Sequence, residues 1–396
     1  MEAGKYDCVV VGGGVAGLMT ASRLSEAGAS VALLESELLG SGATTRNHGM
    51  VHGGALYARW HPEIVAACSQ AQTAYRKSFP DAVTGSAACW YIGSATTVDT
   101  YDKLWRSFGI AHSAVDDDEL AELLNMVDGA RTSARAVQEL LIDTGELIAD
   151  LARRCLRGGV RLLVGARALQ VVTAHGAVRG VRTALGVVEA ANVVLCSGIG
   201  TRDILESSGS VVAGELRSRL ETMMAFPGDL PRAIIGLEFG WPAVAPSACG
   251  GVVLASRYGA PQRFVDGPAR WPVPADENAR LVRDLAERLK PGRVDLSGGV
   301  GWVCSKTEHV RGSGDQWGTE PDYAVIDHRQ RDGVAGWWTV LPGKMTLALH
   351  ASRAVAAAVT ATEPALELEA RASGRLDITG LIDVTPWGAH TRAGAQ

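Results

Sequence analysis

The first 35 residues contain a strand, a glycine-rich turn, a helix and a second strand, in the order that dinucleotide-binding folds require. Tyr6–Val11 predicts a buried parallel strand, and residues 12–17 read Gly-Gly-Gly-Val-Ala-Gly. A helix is predicted to run from there to about Gly28, and the next strand, residues 30–34, ends at Glu35. This unit restricts the chain to an α/β fold built around a parallel sheet.

Each glycine of this unit has a distinct physical role. Gly12 permits the tight turn, Gly14 lets the backbone approach a pyrophosphate, and Gly17 lets the helix pack closely on the strand. The helix N-terminus offers amide donors and the positive end of the helix dipole. We expect Glu35 to accept hydrogen bonds from ribose hydroxyls. The cofactor-binding residues predicted here are Gly12, Gly14, Val15, Ala16, Gly17, Glu35 and Ser36.

The fingerprint alone does not distinguish NAD from FAD, but the later organisation of the chain favours FAD. An amphipathic helix at residues 146–157 precedes short strands with glycines between them. These predicted strands span residues 160–164, 168–173, 178–183, 187–189 and 193–196. Such a meander favours an FAD-type nucleotide domain. Residues 81–115 and 216–302 contain alternating, proline-rich segments that predict an inserted sheet domain.

The expected fold is therefore an α/β Rossmann-like FAD-binding domain with an inserted antiparallel-sheet substrate domain, as in the glutathione-reductase-type FAD fold. We expect residues 1–80, 140–212 and 322–362 to form the FAD-binding domain. Residues 81–139 and 213–321 are assigned to the substrate domain. Residues 363–396 are expected to form a C-terminal tail that begins with a helical segment, residues 363–372.

Composition and charge exclude several classes of protein. With 38 basic and 43 acidic side chains, the net charge of −5 argues against a nucleic-acid partner. No secretory signal is visible, and the apolar segment at residues 345–359 is interrupted by His350 and Arg353, so no membrane span is expected. Seven scattered cysteines without a CxxC pair predict no metal site and a cytoplasmic location. The acidic residues 116–119 are interpreted as a helix start.

Two further segments resemble a known family. Residues 40–62 read Gly-Ser-Gly-Ala-Thr-Thr-Arg-Asn-His-Gly-Met-Val-His-Gly-Gly-Ala-Leu-Tyr-Ala-Arg-Trp-His-Pro. This segment resembles the flavin-proximal loop of the D-amino-acid-oxidase-like (DAO) superfamily, and most of all its glycerol-3-phosphate and 2-hydroxyglutarate dehydrogenase branch. Residues 342–350, Pro-Gly-Lys-Met-Thr-Leu-Ala-Leu-His, are similar to the Gly-Gly-Lys-x-Thr segment of that branch. The resemblance implies FAD as the cofactor and hydride transfer to flavin N5.

The resemblance also implies a set of flavin contacts. A helix that starts near Lys344 would direct its amides toward flavin N1–C2=O, where negative charge develops, and Lys344 would add a full positive charge. The alternative is a solvated lysine at a helix start. The further cofactor-binding residues predicted are Thr44, Thr45, Arg46, Asn47, Gly49, Ala168, Ser197, Gly198, Gly343, Lys344, Met345 and Thr346.

A third segment is similar to the sarcosine-oxidase branch. There a Val-Cys pair matches Val303 and Cys304, and the cysteine carries the flavin covalently; here residues 309–318 are inserted after the match. Cys304 is thus either a covalent flavin anchor or a buried cysteine that packs as a small hydrophobe. Lys306 either activates dioxygen or pairs with Glu308 at the surface. Trp302 either lines the pocket or packs in the core.

The departures from the family pattern concern substrate binding. The glycerol-phosphate enzymes have His-Gly-Gly-Leu-Arg-Tyr where this chain has His-Gly-Gly-Ala-Leu-Tyr, so Leu56 replaces a substrate-binding arginine. A second family arginine falls at Gly301. Because both bidentate donors are lost, glycerol 3-phosphate is not expected as the substrate.

Oxidation of a CH–OH or CH–NH bond also requires removal of a proton from oxygen or nitrogen. For a hydroxyl a histidine base is expected, and His52 and His48 on the flavin-facing loop are the candidates; a scaffold role is the alternative for both. Lys344 completes the predicted catalytic set, and Tyr57 is a candidate for the substrate pocket. No second dinucleotide fingerprint is visible, so electrons are expected to come from a small organic substrate and pass to dioxygen or another acceptor.

Three alternatives to alcohol oxidation stay open. An amine or amino-acid oxidase would give an imine, since an amine substrate can bind in its neutral form. A catalytically silent flavoprotein subunit is the rival from another functional class, and an NAD-dependent dehydrogenase is a weaker possibility.

Overall fold

The computed structural model describes residues 4–125, 132–238, 241–257, 263–265, 275–310, 322–369 and 376–388. Two sheets organise this part of the chain. The first sheet contains β1 (Tyr6–Val11), β2 (Val31–Glu35), β7 (Arg161–Val164), β8 (Ala168–Ala174), β9 (Ala177–Thr183), β10 (Gly186–Leu195), β17 (Ala324–Asp327) and β18 (Trp337–Leu341). The second contains β3 (Met50–Val51), β4 (Val83–Ser94), β5 (His112–Ala114), β6 (Thr132–Ile142), β11 (Leu216–Pro227), β12 (Ala233–Gly236), β13 (Pro242–Pro246), β14 (Val252–Arg257), β15 (Arg263–Val265) and β16 (Val300–His309).

The first sheet has the strand order β17-β18-β10-β1-β2-β7. Strand β1 lies between β10 and β2 and is parallel to both. Its residues from Cys8 to Val11 are all buried, because helices or strands cover both faces of the sheet. This position explains why β1 is a continuous apolar run, and it places the turn at Gly12 at the carboxyl end of a central strand.

The helices pack on these sheets and between them. Helix α1 (Val15–Glu26) is buried all round from Val15 to Leu24 and packs against α5 (Thr144–Arg157) and α9 (Ala348–Thr360), which forms the largest apolar cluster of the described residues. Helix α4 is capped by the Asp116 side chain, which accepts a hydrogen bond from the Glu119 amide, as the acidic helix start predicts. The helices are α1 (Val15–Glu26), α2 (Val65–Ser78), α3 (Ala95–Ser107), α4 (Asp117–Leu123), α5 (Thr144–Arg157), α6 (Thr201–Ser207), α7 (Ala275–Arg288), α8 (His328–Arg331) and α9 (Ala348–Thr360).

The predicted meander is present, with one correction. The two short strands predicted at residues 187–189 and 193–196 are one strand, β10. Its first half pairs antiparallel with β9, and its second half pairs parallel with β1. The backbone of β10 stays extended where the strand changes partners. Hydrophobic periodicity alone does not show such a change of partner.

The second sheet has the order β15-β11-β14-β13-β12-β4-β6-β3, with β16 paired to β11 and β5 paired to β6. Its pairs are antiparallel, apart from the parallel pair of β12 and β4. Strand β3 belongs to this sheet because Met50 and Val51 pair with Leu141 and Leu140 of β6. Strand β3 lies within residues 40–62, which we call the flavin-side loop, and attaches this loop to the second sheet.

The C-terminal segments are held by side chains of the first helices. The Arg23 guanidinium donates to the carbonyls of Ala365 and Leu366, and the Leu368 amide donates to the Ser78 hydroxyl. Residues 363–369 contain no helix, so the helical expectation for this part is wrong; the remainder of that segment, 370–372, lies outside the described residues. Within the described ranges, none of the helices has the length and apolar character that a membrane crossing needs.

Candidate active site

A cavity of about 1110 Å³ lies between the two sheets, at the carboxyl ends of β1 and β2. It brings together residues that are far apart in sequence. Of the predicted site residues, Gly17, Thr45, Gly49 and Trp302 lie behind the wall rather than in it. The predicted residues that line the cavity are Gly12, Gly14, Val15, Ala16, Glu35, Ser36, Thr44, Arg46, Asn47, His48, His52, Tyr57, Ala168, Ser197, Gly198, Cys304, Lys306, Gly343, Lys344, Met345 and Thr346.

Two glycines of the fingerprint leave no room for a side chain. Gly12 has φ +109°, and a Cβ there would lie 2.4 Å from the Cys196 carbonyl oxygen. A Cβ on Gly17 would lie 1.9 Å from the Gly12 carbonyl oxygen. The turn is therefore as tight as the backbone permits, and the N-terminus of α1 is brought against the cavity. Gly14 is the N-cap of this helix and supplies no side-chain cap; the first helical amide, that of Val15, donates instead to the Thr44 hydroxyl at 3.1 Å.

Glu35 is fixed at the end of β2. One carboxylate oxygen accepts a hydrogen bond from the Gly13 amide at 2.7 Å, and the other accepts one from the Glu37 amide at 2.8 Å. The Ser36 hydroxyl donates to the second oxygen at 3.1 Å. The carboxylate keeps unused lone pairs for ribose hydroxyls, which fits the predicted role.

The flavin-side loop is shaped by its own polar groups. Thr45 donates its hydroxyl to the Gly40 carbonyl at 2.7 Å, and the Thr44 hydroxyl accepts from the Val15 amide at 3.1 Å. The Asn47 side chain donates to the Thr44 carbonyl and accepts from the Gly49 amide, both at 2.8 Å. These bonds indicate that Thr45 and Asn47 hold the shape of the loop.

The C-terminal segment, residues 376–388, covers the outside of this loop. The Leu39 backbone exchanges hydrogen bonds with Leu381 and Asp383, and Arg46 lies 3.5 Å from the Asp383 carboxylate. The Trp302 indole donates to the Arg46 carbonyl at 2.9 Å and packs against Trp387, with ring centroids 5.2 Å apart. Trp302 therefore supports the loop from behind, which corresponds to the core-packing alternative.

Lys344 begins the short 3-10 helix Met345–Leu347, which leads into α9. Its Nζ lies 4.6 Å from the centre of the Tyr57 ring, a cation–π contact. Burial lowers the pKa of the Lys344 ammonium from its ordinary 10.5 to about 7, and the neighbouring positive charge of Lys306 contributes to the shift. The ammonium is therefore fully charged only below about pH 7, and the full positive charge expected at this position needs an anionic group beside it.

His52 and His48 lie together at the inner end of the loop. Their rings meet edge-to-face with centroids 5.6 Å apart, and Tyr57 meets His52 in the same way at 5.6 Å. Burial lowers the pKa of His48 to about 3, so this imidazole is neutral at ordinary pH. The His52 amide donates to the Thr346 hydroxyl at 3.2 Å, which connects the two predicted flavin segments directly.

The opposite wall is formed by paired positions of β11 and β16. Arg219 faces Lys306, and Glu221 faces Cys304, in this antiparallel pair. Lys306 and Arg219 both form ion pairs with the buried Glu308 carboxylate. Burial raises the pKa of the Cys304 thiol to about 12, so its reactive thiolate is strongly disfavoured.

The structure also places the two positions that differ from the family pattern. Leu56 is buried in the cavity wall beside Tyr57. A Cβ on Gly301 would lie 2.5 Å from the side-chain nitrogen of Asn278, so an arginine would not fit there unless this side chain moved. Neither position offers a charged donor to a phosphate.

Sequence reasoning missed several charged residues of this region, and two of them, Arg219 and Glu139, bear on the chemistry. Arg219 lines the wall of the cavity. Buried and partly exposed residues alternate along β11, and this alternation could have identified Arg219 once the partner strand was known. Glu139 lies directly behind His52 and is completely buried on β6. A lone acid among apolar residues near the end of a predicted strand was the available signal.

Comparison with known proteins identifies the family of this chain. The family profile described as "FAD dependent oxidoreductase", DAO, matches residues 7–372. A probable FAD-dependent oxidoreductase of Pseudomonas aeruginosa is 27% identical over 318 residues, which cover 76% of this chain and 77% of that protein.

Two solved structures share the fold. Glycine oxidase from Geobacillus kaustophilus has a TM-score of 0.73 at 17% identity, over 96% of this chain and 98% of the other. Glycerol-3-phosphate dehydrogenase from Bacillus halodurans, complexed with FAD, has a TM-score of 0.67 at 15% identity, over 92% and 67%. The predicted α/β fold and the predicted cofactor are confirmed. The chain belongs to the DAO family of FAD-dependent oxidoreductases.

Proposed function

We propose that this enzyme oxidises a CH–OH bond of a small polar metabolite to a carbonyl and passes the electrons to dioxygen or another acceptor. The observation that carries the proposal is the position of His52, which lines the same cavity as the dinucleotide fingerprint. FAD, when bound, supplies the acceptor for the hydride that leaves the substrate carbon.

The proton of the hydroxyl needs a separate acceptor, because an alcohol is far from ionised at neutral pH. His48 is a weak base in this environment, since its pKa lies near 3. His52 is therefore the residue that accepts the proton, and His48 and Tyr57 pack against its ring.

Several residues are proposed to hold the cofactor. The close backbone at Gly12, the N-terminus of α1 beside the cavity and the Glu35 carboxylate suit the pyrophosphate and ribose. Lys344 lies at the other end of the cavity, where a bound anionic group would favour its charged form. The thiol pKa of about 12 at Cys304 supports packing rather than a covalent bond to the flavin.

The substrate is proposed to be polar because the wall of β11 and β16 carries Arg219, Lys306 and Glu308. Leu56 and Gly301 make glycerol 3-phosphate unsuitable. All seven cysteines are free, which supports a reducing compartment, and we place the enzyme in the cytoplasm. The assignment of the chain to two domains and a tail also stays a prediction.

Amine oxidation is the alternative, and the fold shared with a glycine oxidase favours it. A neutral amine would need no base, so the role of His52 separates the two reactions. The holoenzyme would be mixed anaerobically with panels of hydroxy acids, polyols, amines and amino acids, and loss of the oxidised flavin band would be followed.

We expect a hydroxy compound to bleach the flavin in the wild type and far more slowly in His52→Gln. Peroxide formation on admission of air would identify an oxidase. Ammonia release, or bleaching by an amine that is unaffected in His52→Gln, would contradict the proposal and support the amine reaction. Failure of every compound to bleach the flavin would favour a silent subunit.

A further inference from the structure

The buried carboxylate of Glu139 faces the imidazole that is proposed above to accept the proton. The distance from Glu139 Oε1 to His52 Nδ1 is 3.9 Å. Both side chains are almost completely buried, and Nδ1 has no hydrogen-bond partner among the described residues. A ring movement of about 1 Å would bring Nδ1 within hydrogen-bond distance of the carboxylate.

Three donors fix this carboxylate in place. Oε2 accepts from the Gly53 amide at 2.6 Å and from the Gln72 side chain at 3.1 Å, and Oε1 accepts from the Tyr91 hydroxyl at 2.6 Å. Burial and the charge of Glu139 raise the pKa of Tyr91 well above its usual range, so the phenol remains a donor. A site made of donors alone suits the ionised form of an acid.

The contacts of Glu139 also determine which imidazole nitrogen is available. Because Nδ1 faces Glu139, the nitrogen left for the cavity is Nε2. A carboxylate at Nδ1 favours the tautomer that carries its proton there, which keeps Nε2 as the acceptor.

We propose that Glu139 is a positioning residue for His52: it orients the imidazole with Nε2 toward the substrate and stabilises the imidazolium that forms when Nε2 takes the hydroxyl proton. Bound FAD would accept the hydride, which carries two electrons and the carbon-bound hydrogen, and His52 takes the hydroxyl proton, so the C–H and O–H bonds break as the carbonyl forms. The inference rests on the proposed function, since it assumes that His52 is the proton acceptor.

Other ionisable groups surround the pair. His48 and Tyr57 contact the imidazole, and Lys344 reaches the far side through the Tyr57 ring. Cys68 on α2 lies close enough to feel the charge of Glu139, and burial raises the pKa of its thiol to about 12, so this thiol is neutral. Of these neighbours, Lys344 alone adds positive charge, which opposes protonation of His52.

The test uses the holoenzyme labelled with ¹⁵N-histidine, with the His52 signal identified by its loss in His52→Gln. Glu139→Gln removes the charge but can keep the hydrogen bonds, because the amide oxygen can accept from Gly53 and Gln72 while its NH₂ donates to the Tyr91 oxygen. Tyr91→Phe is the matched control, since it removes one hydrogen bond and keeps the charge.

We expect Glu139→Gln to reduce the share of His52 that carries its proton on Nδ1, because the carboxylate that favours this tautomer is lost; the ¹⁵N chemical shifts of the two ring nitrogens report that share. Tyr91→Phe should keep the wild-type ¹⁵N pattern, since the charge of Glu139 remains. With a bleaching substrate, kcat should fall by about tenfold or more in Glu139→Gln.

An unchanged His52 ¹⁵N pattern in Glu139→Gln overturns the inference, whatever the substrate. An equal change in Tyr91→Phe also overturns it, because the effect would then come from loosened packing. If the tautomer changes while turnover of a bleaching substrate does not fall, the pair stands and the assignment of His52 as the proton acceptor fails.

Discussion

Lys344 makes the stability of the apoprotein depend on pH in a direction opposite to that of most lysines. Its pKa of about 7 in the folded chain lies far below the ordinary 10.5, because the ammonium is buried near Lys306. Below pH 7 the group is charged in both the folded and the unfolded state, so the folded state carries the full cost of the buried charge. Between pH 7 and 10.5 the folded chain has released a proton that the unfolded chain retains, and stability rises with pH.

The magnitude follows from the difference in pKa. A difference of about 3.5 corresponds to about 5 kcal/mol over the whole window, or about 1.4 kcal/mol for each pH unit. Between about pH 7 and 9 the free energy of unfolding should therefore rise by about 2.3 kcal/mol in the wild type relative to Lys344→Met, because at pH 7 half of the folded groups have already lost the proton. The methionine fills a similar volume without a charge.

Urea denaturation of flavin-free protein, followed by tryptophan fluorescence at a series of pH values, measures this difference. Lys77→Met is the matched control, because Lys77 is exposed and pairs with Glu367 at 3.1 Å. The free energy of unfolding of Lys77→Met should depend on pH in the same way as that of the wild type. Parallel curves for the wild type and Lys344→Met over this range would refute the reasoning.

Three other substitutions separate structural from chemical roles around the cavity. Gly17→Ala should lose about 2–3 kcal/mol of stability and most bound FAD, because its Cβ would meet the Gly12 carbonyl; Gly214→Ala, where a Cβ meets open space outside the cavity lining, should retain both in thermal unfolding and flavin absorbance. His48→Gln should leave the shape of the kcat/KM profile unchanged from about pH 5 to 9, because His48 does not titrate there; a displaced limb would contradict this. Acid precipitation should release all flavin from both the wild type and Cys304→Ser, and flavin retained in the wild-type pellet alone would show a covalent bond.

The sequence was informative wherever function depends on consecutive residues. Gly12 and Gly17 act through their own turn and helix, so their spacing was sufficient to predict the backbone contacts. Lys344 and His52 were found through motifs of the family loop and the late segment. Their meeting at Thr346 depends on packing between segments 294 positions apart, which no local pattern reports.

Glu139 could not be assigned a role from the sequence for a related reason. Its partners come from the flavin-side loop, from α2 and from β4, and they meet only because β6 lies beside β3 and β4 in one register. A shift of that register by one residue would turn Glu139 to the other face of the sheet. The change of partners along β10 was missed for the same reason, since strand pairing is a property of the assembled sheet.

The support of the flavin-side loop by late residues has a consequence for synthesis on the ribosome. The Arg46 carbonyl accepts a hydrogen bond from the Trp302 indole, 256 positions later in the chain, and the Arg46 guanidinium pairs with the carboxylate of Asp383, which comes later still. The emerging nascent chain presents the glycine turn early, but the loop obtains its outer support only when nearly all of these residues have left the exit tunnel. Stable capture of the flavin is therefore expected as a late event, after translation has passed the C-terminal segment.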